Sequence, residues 1–111
     1  VESDPNHPIV TEPWRYRIGA LHYHVGLDDT EPYLDLDLHR DGEVRRLRFW
    51  SPAELEIEPG FPGPTYGMVI LDVRARQLER LNVRVIDSEG TWGSITFWAR
   101  DVVDRDTLDA V

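Results

Sequence analysis

The sequence contains no cysteine and no lysine. Without thiols there are no disulfides, thiolate zinc sites, iron–sulfur clusters or cysteine nucleophiles, and the lack of thiols leans toward a reducing compartment. The cytoplasm is therefore the expected location. No apolar run approaches the roughly 18 residues of a membrane-spanning helix. No basic stretch leading into an apolar segment marks a secretory leader at the N-terminus. The basic residues, all arginine, number 12 against 21 acidic ones, for a net charge of -9. A field of that sign opposes non-specific binding to nucleic acid and to anionic lipid. It favours solubility, and it attracts basic partners.

Catalytic signatures are scarce as well. Ser3, Ser51, Ser88 and Ser94 all lie outside any G-x-S-x-G elbow. There is no glycine-rich phosphate loop, no H-E-x-x-H pair and no calcium loop, and the acidic run Asp28–Glu31 lacks the spacing for one. The row Glu54, Glu56 and Glu58 offers paired carboxylates, but a catalytic pair needs one of them desolvated, and this row reads as wet.

What is present is alternation. The 111 residues, 41% of them hydrophobic, suit one domain with a real core. Leu34, Leu36 and Leu38 alternate with Asp35, Asp37 and His39, and Leu47 and Phe49 alternate with Arg46 and Arg48. Asp41-Gly42 sits between the two runs, a strong hairpin signal because both turn residues take positive φ. A two-residue turn there opposes Leu36 to Leu47 and Leu34 to Phe49. It also opposes Asp37 to Arg46 and Asp35 to Arg48, so like meets like on one face and opposite charges meet on the other.

Upstream, Trp14, Tyr16 and Ile18 share one phase and Leu21, Tyr23 and Val25 the other, which predicts a bulge at Gly19-Ala20. Pairing this run with the next sets His24 opposite Asp35 and His22 opposite Asp37. Further strands are predicted at 54–58, at 68–74, at 83–87 (Val73 opposite Val83) and at 95–103. The expected fold is all-β, a small antiparallel β-sandwich of about seven strands, with a closed β-barrel as the alternative. Residues 1–13 read as an unpaired, proline-rich N-terminal arm, 14–103 as the sandwich domain and 104–111 as an acidic C-terminal tail.

Three functions compete. The first is a non-catalytic protein- or ligand-binding domain, which fits the chain better than an enzyme. It would use the loop aromatics Trp50, Phe61, Tyr66 and Trp92, rigid rings that bury area at little entropic cost. The second is a metal-binding protein or metal-dependent enzyme. His22 and His24 share a strand face, and with Asp35 and Asp37 across from them they offer nitrogen and oxygen ligands suited to zinc, iron or manganese. The same geometry also describes a ladder of charges in which Arg46 and Arg48 compete for the carboxylates. The third is an acidic inhibitor or antitoxin-like partner of a basic protein. Each reading has a protein or a small ligand as partner, and neither nucleic acid nor membrane.

Overall fold

The computed structural model of the chain describes residues 4–90 and 92–108. Asp41 and Gly42 turn the chain with φ of 46° and 84°, and the expected hairpin forms around them. Its strands are β2 (Tyr33–Arg40) and β3 (Glu43–Trp50). Leu34 faces Phe49, Leu36 faces Leu47, Asp35 faces Arg48 and Asp37 faces Arg46.

The remaining strands are β1 (Arg17–His24), β4 (Ala53–Ile57), β5 (Met68–Asp72), β6 (Val83–Asp87), β7 (Ile95–Ala99) and β8 (Asp101–Asp104). They form two four-stranded antiparallel sheets, ordered β1-β2-β3-β8 and β4-β7-β6-β5. Among the described residues the fold is therefore an eight-stranded β-sandwich and not a closed barrel. The extra strand comes from 95–103, which is not one strand but two. β7 ends at Ala99, and Arg100 carries the chain from the second sheet to the first.

The inward phases meet between the sheets. Leu34, Leu36, Leu38, Leu47 and Phe49 from one side are fully buried against Ile70, Val83, Val85, Phe97 and Ala99 from the other. Each of these side chains apart from Ala99 contributes roughly 1.5–3 kcal/mol of transfer free energy. Phe49 and Phe97 meet edge to face across the layer, with centroids 4.8 Å apart at 89°. That geometry sets the positive ring edge against the negative face.

Two registers differ from expectation. The predicted bulge is present between Ile18 and Ala20, but β1 is slid by two residues, so His22 lies opposite Asp35 and His24 opposite Tyr33. A two-residue slide keeps every side chain on its face, so alternation alone cannot detect it. In the β5–β6 pair the slip is one residue: Ile70 faces Val85 and Asp72 faces Val83. Here Val73 leaves the ladder and turns into the 3-10 turn Arg74–Arg76 while its side chain stays fully buried. In β4, Ile57 is 45% exposed at the sheet edge.

The arm expected to be unpaired docks on β5. Asn6 bridges Leu71, the His7 amide donates to the Ile70 carbonyl at 2.8 Å, and the Asp72 amide donates to the Pro5 carbonyl at 2.9 Å. His7 is buried, and its Nδ1 accepts the Ile9 amide at 3.1 Å. At the other end, β8 leads into the single helical turn α1 (Arg105–Leu108). Arg105 folds back onto the outer face of the first sheet, donating to Asp35 at 3.0 Å and to Asp37 at 2.8 Å. The rest of the tail, 109–111, lies outside the described residues.

Asp35 is the most buried carboxylate of this network, with 6% of its side chain exposed. Burial alone would raise its pKa. The hydrogen bonds from Arg48 and Arg105 outweigh burial and hold it below the ordinary carboxylate range. Replacing it by asparagine removes the buried charge on which Arg48 and Arg105 converge. Asp35→Asn is expected to cost about 3–5 kcal/mol in urea unfolding, against less than about 0.5 kcal/mol for the exposed Asp41→Asn.

Burial lowers the His7 pKa. Arg74 adds to that shift, while Asp72 and Asp101 oppose it. A folded-state value below the unfolded one means the neutral ring stabilises the fold. That contribution is present above the ordinary histidine value of about 6.5 and is lost as pH falls through the folded value. Unfolding free energy measured from about pH 7.5 to about pH 5.5 should fall on acidification. The fall should be smaller in His7→Gln.

Candidate functional site

The site begins in the sequence Trp14-Arg15-Tyr16-Arg17, just ahead of β1. Pro13 opens a 3-10 turn over Pro13–Arg15, preceded by Glu12 in the left-handed region. A proline at the first position suits such a turn, since its missing amide hydrogen would be unpaired there anyway. Tyr16 then drops into the core at 5% exposure, and its hydroxyl donates to Glu43 Oε2 at 2.8 Å. Burial, reinforced by Glu43, raises its pKa. The Arg40 guanidinium lies 5.8 Å from the Tyr16 ring centroid. With Tyr16 anchored, Trp14, Arg15 and Arg17 are left at the surface.

The facing wall is the proline- and glycine-rich loop between β4 and β5. It is fastened by the Gly63 amide donating to the Gly93 carbonyl at 3.0 Å and by Thr65 Oγ1 donating to the Tyr16 carbonyl. It presents Tyr66, 74% exposed. The floor is closed by His39, whose ring lies across the bulged Gly19 so closely that a Cβ there would come within 2.2 Å of it. Together Trp14–Gly19, His39 and Pro62–Tyr66 bound an open groove of about 730 Å³. A shallower depression continues from it past Arg40, Asp41 and Gly42.

Arg15 and Arg17 line the groove, and Arg40 lines its continuation. Arg15 shares Glu12 at 3.3 Å and Arg40 approaches Asp41 at 3.9 Å. Among the described residues Arg17 has no acidic partner within 4.0 Å.

The four loop aromatics singled out from the sequence do not form one surface. Tyr66 lines the groove. Phe61 packs half-buried against the core. Trp92, 68% exposed, lies over Gly60, where a Cβ would come within 2.2 Å of its ring. Trp50 stands at the opposite end of the first sheet, edge-on to Tyr33 at 5.6 Å. Trp14, Arg15, Arg17 and Arg40 are not among the site residues that the sequence suggests. The alternation of aromatic and arginine in residues 14–17 was the available signal.

The histidine–aspartate set lies on the outer face of the first sheet, as the alternation implies. Its carboxylates are engaged elsewhere. Arg48 holds Asp35 in a two-pronged bond, at 2.8 and 3.1 Å, and Arg105 bridges Asp35 to Asp37. His24 stacks flat on Tyr33, with centroids 4.7 Å apart at 4°, while Arg48 also approaches that ring at 3.8 Å. His22 faces Asp35 across the ladder. Among the described residues no group of three or more histidine, aspartate or glutamate side chains is disposed to hold a metal ion.

Compared with known proteins, the chain matches no family model, no curated sequence and no solved structure.

The groove wall depends on a backbone approach that only glycine permits. A Cβ at Gly63 would meet the Trp92 carbonyl oxygen at 1.8 Å. Gly63→Ala should therefore lower stability by about 1–3 kcal/mol in thermal unfolding. Gly90→Ser, at a position with nothing near its missing Cβ but a φ of 64°, should cost less.

Proposed function

We propose that the chain is a non-catalytic binding domain, and that the groove between Trp14 and Tyr66 seats an extended acidic segment of a partner protein. The observation that carries this reading is the gathering of Arg15, Arg17, Arg40 and His39 around those two rings, in a chain whose net charge is -9. A local positive field within a negative whole selects its ligand by charge and turns away other surfaces of the same sign. Arginine suits the task because its planar fork matches a carboxylate with two donors. The rings supply apolar area that loses little conformational freedom on binding. In this reading Phe61 and Trp92 brace the loop that carries Tyr66, and Trp50 stands apart from the ligand.

The metal reading is weaker. The two-pronged Arg48–Asp35 bond and the Arg105 bridge place guanidinium charge where a cation would have to sit.

Titration of tryptophan fluorescence with a synthetic glutamate-rich peptide containing proline and tyrosine tests the groove. Binding should appear at low salt and weaken as salt is added. Arg17→Glu and Tyr66→Ala should each weaken it by about tenfold or more, while Trp50→Ala leaves it unchanged. Equal binding by Arg17→Glu, or loss confined to Trp50→Ala, would refute the assignment.

A further inference from the structure

Every sheet edge carries unpaired backbone donors and acceptors, which folded proteins cover or interrupt. Three of the four edges here are protected. The N-terminal arm lies along β5 through Asn6 and His7. β4 is broken by a register shift between Ala53 and Glu56, with Glu54 at a φ of 53° and two exposed glutamates. β8 is only four residues long and runs into α1. β1 differs. It spans eight residues, and its one irregularity lies near its start. Among the described residues, no backbone hydrogen bond from outside the sheet ladders reaches Arg17–His24.

The composition of this edge is equally distinctive. The chain holds 21 acidic residues, yet none falls between Arg17 and Leu27. Tyr23 near its end, and Val25 and Leu27 just past it, are exposed at 40%, 59% and 65%. Arg15 and Arg17 sit at its beginning, and Asp28 and Asp29 occupy the exposed turn just past its end.

We infer that two copies of this chain pair antiparallel along β1, each bringing its Asp28-Asp29 turn to the Arg15–Arg17 end of the other. The inference rests on the reading of the groove as a seat for acidic segments, and it names that segment. Centring the pair on His22 sets Leu21 against Tyr23 of the second copy, so side chains of the same face oppose one another. Arg17 and Leu27 lie equally far from His22 along the chain. The antiparallel pair therefore superposes the cationic end of one copy on the anionic turn of the other. A parallel pair would stack like charge on like. Backbone bonds supply the join, and the end charges fix its direction and register.

Sedimentation equilibrium of the purified chain over a concentration series at low salt tests this. A monomer–dimer equilibrium is expected. Arg15→Asp and Asp29→Arg, which this register sets opposite one another, should each raise the dissociation constant about tenfold or more, and the double variant should recover wild-type association. Both positions are exposed, so neither change threatens the fold. A wild type that stays monomeric at millimolar concentration overturns the inference. So do single variants that dimerise like wild type, or a double variant that fails to recover. The peptide titration repeated on Asp29→Arg separates the two readings. Binding there with no wild-type dimer retains the groove and rejects the pairing. A dimer that responds to the charge swap, with no peptide binding, retains the pairing and rejects the general acidic seat.

Discussion

The two-faced character of β2 governs the rest of the molecule. Leu34, Leu36 and Leu38 point into the layer between the sheets, and Asp35 and Asp37 point away from it. Hydrophobic burial alone fixes the phase of this strand, because a one-residue slip would bury two carboxylates and expose three leucines. The arginines secure the other face. Arg48 from β3 and Arg105 from beyond β8 meet on Asp35, so one carboxylate ties the β2–β3 hairpin to a residue 70 positions further on. A buried charge is costly unless its oxygens are occupied. Here both oxygens of Asp35 accept hydrogen bonds.

The second constraint is the corner at Arg100. Its amide donates to the Trp50 carbonyl at 2.8 Å, and its guanidinium takes both oxygens of Glu31 at 2.7 and 3.1 Å. Ser51 donates to the same carboxylate, and Asn82 donates to the Arg100 carbonyl at 2.9 Å. The chain thus changes sheets where it is fastened from both. The hydrogen bonds from Arg100 and Ser51 also hold Glu31 below its ordinary pKa.

How much of this the sequence disclosed follows from what alternation encodes. The β2–β3 hairpin was legible to the residue, because a turn of defined length and two clean faces leave one register. The β1–β2 pairing was legible in its faces but not in its offset, since sliding by two residues exchanges equivalent neighbours. The β5–β6 pairing was ambiguous for a different reason: Met68–Leu71 is apolar on both faces, so a one-residue slip costs little on paper. The groove was least legible. Its walls come from residues 14–19, 39 and 62–66, brought together only by sheet packing and by a glycine contact at Gly63. Arg105 was not legible either, because a short acidic tail gives no sign that one basic residue in it reaches back to β2.

The passage of β7 into β8 through Arg100 has a mechanical meaning. One unbroken stretch of backbone serves as an inner strand of one sheet and a border strand of the other. Neither layer can be completed while the other is absent, and neither can rotate without dragging its counterpart. A chain built this way has no half that stands by itself, so loosening at the seam is felt throughout the core.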